Sequence, residues 1–102
     1  MNPTAYGLKD EDLTVIKTVL TPYNSIEKAV IFGSRATGNY KQGSDVDIAI
    51  YAKDKNIVSE ISFALNEATL LPYHFDIIDY YSLTHQNLIN QINETGKVFY
   101  KR

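Results

Sequence analysis

Two short stretches hold residues whose types and spacing could do chemistry: Gly33-Ser34-Arg35-Ala36-Thr37-Gly38 and, five residues later, Ser44-Asp45-Val46-Asp47. Gly33 and Ser34 follow an apolar run and precede helix-compatible residues, so they are expected to turn the chain from a strand into a short helix. Backbone amides at such a turn can point at an anion, and glycine leaves no Cβ in the way, which makes this a candidate phosphate cradle. Asp45 and Asp47 stand two apart in a segment that alternates like a strand, so both carboxylates leave the same face. Neighbouring carboxylates oppose each other's ionisation unless a cation or a shared proton is present. With no cysteine in the chain, Mg2+ is the expected ion, because it takes a few carboxylates plus substrate phosphates where zinc would recruit Cys or His.

A third carboxylate should come from a neighbouring strand, and the segment HFDIID from His74 to Asp79 offers two. Asp76 is flanked by Phe75 and Ile77, as in a half-buried strand. Asp79 lies three residues on and would face the other way unless a bulge intervenes. Arg35 could neutralise phosphate charge, or pair with an acid to fix the loop. Lys41 lies between the two motif halves and could fold over a triphosphate; a solvated side chain is the simpler reading. His74 and His85 lack a partner at metal spacing and read as structural or surface residues. Taken singly, a Gly-Ser pair is an ordinary turn and an Asp-x-Asp pair an ordinary strand end. The set becomes specific when the turn, the acidic pair and a further Asp are placed on three strands.

The elements that must position these residues follow from apolar spacing. In residues 9–21, Leu13, Ile16, Val19 and Leu20 form one helical stripe, with Asp10, Glu11 and Asp12 in the first turn, and Pro22 ends the helix. Lys28 to Phe32 reads as a buried strand. In DVDIAIYA, Asp45, Asp47, Ala49 and Tyr51 share one face and Val46, Ile48, Ile50 and Ala52 the other. Ile57, Ile61, Ala64, Leu65 and Ala68 follow helical spacing, Pro72 closes the connection, and HFDIIDY is a third strand. A last helix from about Thr84 to Glu94 points Leu88, Ile89 and Ile92 inward and ends at Gly96 in a favourable position just past the helix. KVFYK could form a final strand. The order predicts an α+β fold, a small mixed sheet of three to four strands with helices packed on it.

Composition narrows the function classes. At 102 residues, 44% hydrophobic and 22% charged, the chain is expected to form one domain, residues 1–102, with a real core. A net charge of -2 provides no global positive field for nucleic acid, although a polyphosphate could bind locally. No apolar run approaches a membrane span and no leader pattern is seen at the start, so a cytoplasmic protein is expected. The tyrosines, eight in all, look scattered and without basic interleaving; of the adjacent Tyr80 and Tyr81, one should see solvent or a partner. Lys97, Lys101 and Arg102 read as a solvated terminus.

The stretch GSRATGNYKQGSDVDIAI resembles the signature of the minimal nucleotidyltransferases, short members of the DNA polymerase β-like nucleotidyltransferase superfamily. The resemblance spans nearly the whole chain, including a helix before the first strand, an Asp on a later strand and an ending like INETGKVFY. It implies a nucleotidyltransferase fold and transfer of a nucleoside monophosphate, most often from ATP, to an acceptor hydroxyl with release of pyrophosphate. It also implies two Mg2+ ions, or Mn2+, held by Asp45, Asp47 and Asp76, and phosphate binding by Gly33 and Ser34, with Arg35, Gly38 and Ser44 at matching positions. Short members resemble the antitoxin half of toxin–antitoxin pairs whose other half is a HEPN-domain protein. A HEPN tyrosine would then be the acceptor, in a hetero-oligomer without direct nucleic-acid or membrane binding. Two other readings remain at this point: a binding subunit that blocks its partner by contact alone, and transfer to a small-molecule hydroxyl.

Overall fold

Apolar periodicity is realised in nearly every element of the computed structural model, which describes residues 6–102. The leader-free reading of the chain's start rests partly on residues 1–5, outside the described ones. Helix α1 (Asp10–Leu20) gathers three acids in its first turn, where the helix dipole favours them, and buries Ile16 and Leu20. Strand β1 (Ile26–Phe32) begins two residues earlier than its charged neighbours suggest, because Ile26 is itself buried. A single helical turn, α2 (Ser34–Thr37), follows Gly33 directly, and β2 (Val46–Ala52) returns after the polar loop. Helix α3 (Ile57–Glu67) buries Ile57, Ile61 and Leu65 before β3 (Phe75–Asp79). A 3-10 turn (Tyr80–Ser82), α4 (Gln86–Thr95) and β4 (Lys97–Lys101) complete the described chain.

The four strands form one mixed sheet in the order β3-β2-β1-β4. β1 runs antiparallel to β2 and to β4, whereas β2 and β3 are parallel and are joined by the α3 crossover. Alternation in β2 divides its side chains as expected. Val46, Ile48, Ile50 and Ala52 join the larger core with Ile16, Leu20, Ile61 and Phe75, beneath α1 and α3. Ala49 and Tyr51 join a second cluster with Val30, Phe32 and Ile92, beneath α4. Each fully buried Ile or Leu contributes about 1.5–3 kcal/mol, so these two layers hold the sheet that carries the acidic residues.

Two local features bear on register. The Asn66 side chain, on α3, donates to the Phe75 carbonyl at 2.9 Å and accepts from the Phe75 amide at 2.8 Å, pairing with β3 much as another strand would. Gly96 does end α4, in an extended conformation (φ -64°, ψ 150°). Its value is space: a Cβ there would overlap the Ile92 carbonyl and the Val30 side chain, so glycine lets the chain pass straight from α4 into β4 against β1.

Candidate active site

The parallel pairing of β2 with β3 sets Asp47 opposite Asp76, while the antiparallel pairing with β1 sets Asp47 opposite Phe32, the residue before Gly33. Asp47 therefore stands between the turn and the third aspartate. Gly33 has a φ of 75°, and a Cβ there would overlap the Asp47 carboxylate. Both facts demand glycine at this position. Asp45 lies just ahead of β2 and is exposed, as is Asp76; Asp47 is half-buried. The start of β2 is fixed by the Val46 amide, which donates to the His74 carbonyl at 2.9 Å.

Asp47 carries the electrostatic record of this arrangement. Its carboxyl is raised from 3.8 to about 6, first by burial and then by the negative charges of Asp76 and Asp45, with His74 and Arg35 acting in the opposite direction. His74 reads from the sequence as a structural or surface residue. It is exposed, but it stands one residue before β3 and its charge acts on Asp47, a proximity that only the β2–β3 pairing creates.

Asp79 does not belong to this group. At the far end of β3 it is opposite Ile50, and its carboxylate accepts from the Tyr81 amide at 3.2 Å and the Ser82 hydroxyl at 2.6 Å, capping the 3-10 turn. The offset of three residues from Asp76 sends it to the other face without a bulge.

The phosphate-cradle residues divide. Ser34 opens α2 immediately after Gly33, and the amides of Ala36 and Thr37 fold back onto the Gly33 carbonyl at 3.1 and 3.2 Å. Arg35 is spent elsewhere. The residue is only 3% exposed. Nε and Nη2 donate to the Ser44 carbonyl at 3.2 and 2.9 Å, and Nη1 donates to the carbonyls of Tyr6 and Gly7 at 3.1 and 3.3 Å. Tyr40 and Tyr73 lie against it, with ring centroids 5.3 and 5.2 Å away. Arg35 thus fixes the loop, as one of its two expected roles required, but through carbonyls in place of an acid. Ser44 receives that hold on its carbonyl, while its hydroxyl accepts from the Lys41 amide at 2.8 Å. Both residues stand behind the acidic group as supports. Lys41 is exposed in the same loop.

The donor chemistry suits Mg2+: carboxylates only, with an excess of negative charge that already raises Asp47 and a backbone clearance at Gly33. Among the described residues, no three His, Cys, Asp or Glu side chains converge closely enough to hold a metal by themselves. Mg2+ completes its octahedron with waters and substrate phosphates around one or two carboxylates, so such a cage is not a requirement. Among the described residues, no helix is long and apolar enough to cross a membrane.

The family model described as polymerase beta, nucleotidyltransferase matches residues 14–102. The chain is similar to a toxin–antitoxin crystal structure with AMP-PNP, at 27% identity over 91% of this chain and 74% of that one, with a TM-score of 0.71. It shares its fold with a structure of a tri-AMPylated Shewanella oneidensis HEPN toxin in complex with an MNT antitoxin (23% identity, 90% and 71% covered, TM-score 0.67). The fold also resembles that of a nucleotidyltransferase-like protein from Sulfolobus solfataricus (24% identity, 88% and 77% covered, TM-score 0.53). No curated protein matches the chain at a significant level.

Proposed function

The chain belongs to the polymerase beta nucleotidyltransferase family, and from that membership we propose that it transfers AMP from ATP to a tyrosine hydroxyl of a HEPN-domain toxin, silencing that toxin as its antitoxin. The observation that carries the catalytic part is the register that sets Asp76 beside Asp47, next to a glycine whose missing Cβ leaves room at the carboxylate. The toxin partner is supported by the likeness to a toxin–antitoxin structure with AMP-PNP and by the shared fold with the complex of an AMPylated HEPN toxin.

In this reading Asp45, Asp47 and Asp76 would hold Mg2+, which would neutralise charge on the triphosphate and make the acceptor oxygen a better nucleophile. Gly33 lets the phosphates approach the backbone, and Ser34 binds them through its hydroxyl and amide. The acceptor oxygen forms a bond to the α-phosphorus as the bond to the β-phosphate oxygen breaks, and pyrophosphate leaves. The acceptor proton passes to the exposed Asp76 carboxylate or to water. Arg35 and Ser44 keep the loop before Asp45 in place.

Transfer of label from α-labelled ATP to the co-expressed HEPN protein tests this. Asp45→Asn and Asp47→Asn are expected to lose at least a thousandfold in rate while keeping the fold; wild-type labelling by either variant would end the catalytic assignment. Full neutralisation of the toxin in cells by the same unlabelling variants would favour inhibition by contact.

A further inference from the structure

At the end of the sheet away from the acidic group, β1 and β4 set Lys28 directly opposite Lys101. Opposed like charges weaken a strand pair, as the two aspartates do at the other end. Lys28 also faces Tyr51 across β1–β2, with its ammonium 4.6 Å from the ring centroid. Lys53 and Arg102 line the same open groove of about 630 Å3. Four of the chain's ten Lys and Arg thus line one groove of a molecule with net charge -2. Arg102 is exposed, as expected of a solvated terminus, but its Nη2 donates to the carbonyls of Thr21 and Tyr23 at 2.8 and 3.2 Å and to the Tyr100 hydroxyl at 3.0 Å.

The groove has one carboxylate, Glu27, at the β-bulge between Ile26 and Lys28, and it accepts from the Tyr81 hydroxyl. That bond ties down Tyr81, a residue 55% exposed. Behind it, Tyr51 and Tyr80 stack at 4.1 Å, and both meet Tyr81 edge-on, at 5.7 and 5.9 Å. Three of the eight tyrosines that look scattered in sequence therefore gather into a braced cluster with one exposed member beside the groove's lysines. Burial, then the Tyr80 neighbour, pushes Tyr51 up to about 12, so it adds no negative charge.

We propose that this groove binds a nucleotide, free or as a unit of single-stranded RNA, with its phosphates between Lys28, Lys101 and Lys53 and its base on Tyr81. Cations supply the phosphate contacts and an open aromatic ring the sequence-tolerant stacking, which is the usual combination for single strands and their units. Net negative charge does not oppose this, because charges beyond about 8 Å are largely screened at physiological salt. The inference does not depend on the transfer reaction, and none of these residues belongs to the acidic site.

Binding is read in EDTA, so that no metal-dependent nucleotide site contributes. The probes are a fluorescein-labelled ten-nucleotide oligoadenylate, followed by anisotropy, and AMP, followed by calorimetry. Lys28→Ala/Lys101→Ala and Tyr81→Ala are each expected to weaken binding at least about tenfold, while Lys17→Ala on α1 leaves it unchanged. The salt slope of strand binding should fall by about 1.4 in the double variant, one phosphate contact per lysine. Strand binding with these losses identifies RNA as the source, and AMP binding alone with the same losses identifies the free nucleotide. The proposal is overturned if neither probe binds, if groove variants bind as wild type, or if polyglutamate competes as well as the strand, which would indicate an acidic protein. Melting curves check folding, and Lys28→Gln with Lys101→Gln repeats the test with the stems retained.

Discussion

At one end of the sheet Asp47 faces Asp76 across β2–β3; at the other, on the same face, Lys28 faces Lys101 across β1–β4. From Lys28 to Phe32, beside Asp47, is about 13 Å along β1 at the usual strand rise. The two ends repeat one device with opposite sign, but they differ in enclosure. The acidic end is framed by the buried Arg35, the Gly33 turn and the start of β3, and Asp47 is half-buried there. The basic end is an open groove in which Lys53, Lys101 and Arg102 are exposed. Water can satisfy opposed charges at the open end at small cost, whereas at the enclosed end burial adds to repulsion and raises Asp47 to about 6. An enclosed pair favours a small, strongly held cation, and an open one a large ligand held by several contacts.

The frame of the acidic end offers the largest effect. Arg35→Ala removes four donor contacts to the carbonyls of Tyr6, Gly7 and Ser44 and leaves those carbonyls to find water. Denaturant unfolding should show a loss of about 3 kcal/mol; a loss below about 0.5 kcal/mol would mean that the loop is held by other contacts.

The next effect separates function from stability. Because the folded-state value of Asp47, about 6, lies above 3.8, this group favours the fold when protonated. Its contribution is complete below about 3.8 and is lost as pH rises through about 6. Without metal at pH 7.5, Asp47→Asn should therefore be more stable than wild type. Allowing for solvent screening of a half-exposed carboxylate, the gain is on the order of 1 kcal/mol, or ~4–8 °C in Tm. The gain should vanish near pH 4, and Mg2+ should raise the Tm of wild type more than that of the variant. A variant less stable than wild type at pH 7.5 would contradict the repulsion at this end.

The smallest effect lies at the open end. Lys101→Glu turns opposed like charges into an opposed ion pair with Lys28, and thermal unfolding should show a gain of about 0.2–1 kcal/mol. A destabilised variant would mean that the two ammonium groups already diverge enough to ignore each other.

Much of this comparison was legible in sequence at the acidic end and little of it at the basic end. Asp45 and Asp47 lie within one alternating segment, and the offset between Asp76 and Asp79 already separated their faces, so local spacing carried the argument. Lys28, Lys53 and Lys101 come from distant segments, and only strand register brings them together, so nothing in their spacing groups them. Arg35 was ambiguous for a related reason: backbone carbonyls are present everywhere in a sequence and point nowhere until the loop is folded. Gly96 reads as a helix-ending glycine, and only the folded chain shows that a Cβ there would meet the Ile92 carbonyl and the Val30 side chain of another element.

The side-chain amide of Asn66 bonds both backbone groups of Phe75, immediately before Asp76. In a strand, a slip of one residue exchanges its two faces. Here it would drive Asp76 into the apolar layer under α3 and expel Phe75, so the strand has no intermediate setting. Asn66 acts as an indexing pin: it converts the placement of one carboxylate from a matter of degree into a choice between two positions, one of which the core forbids.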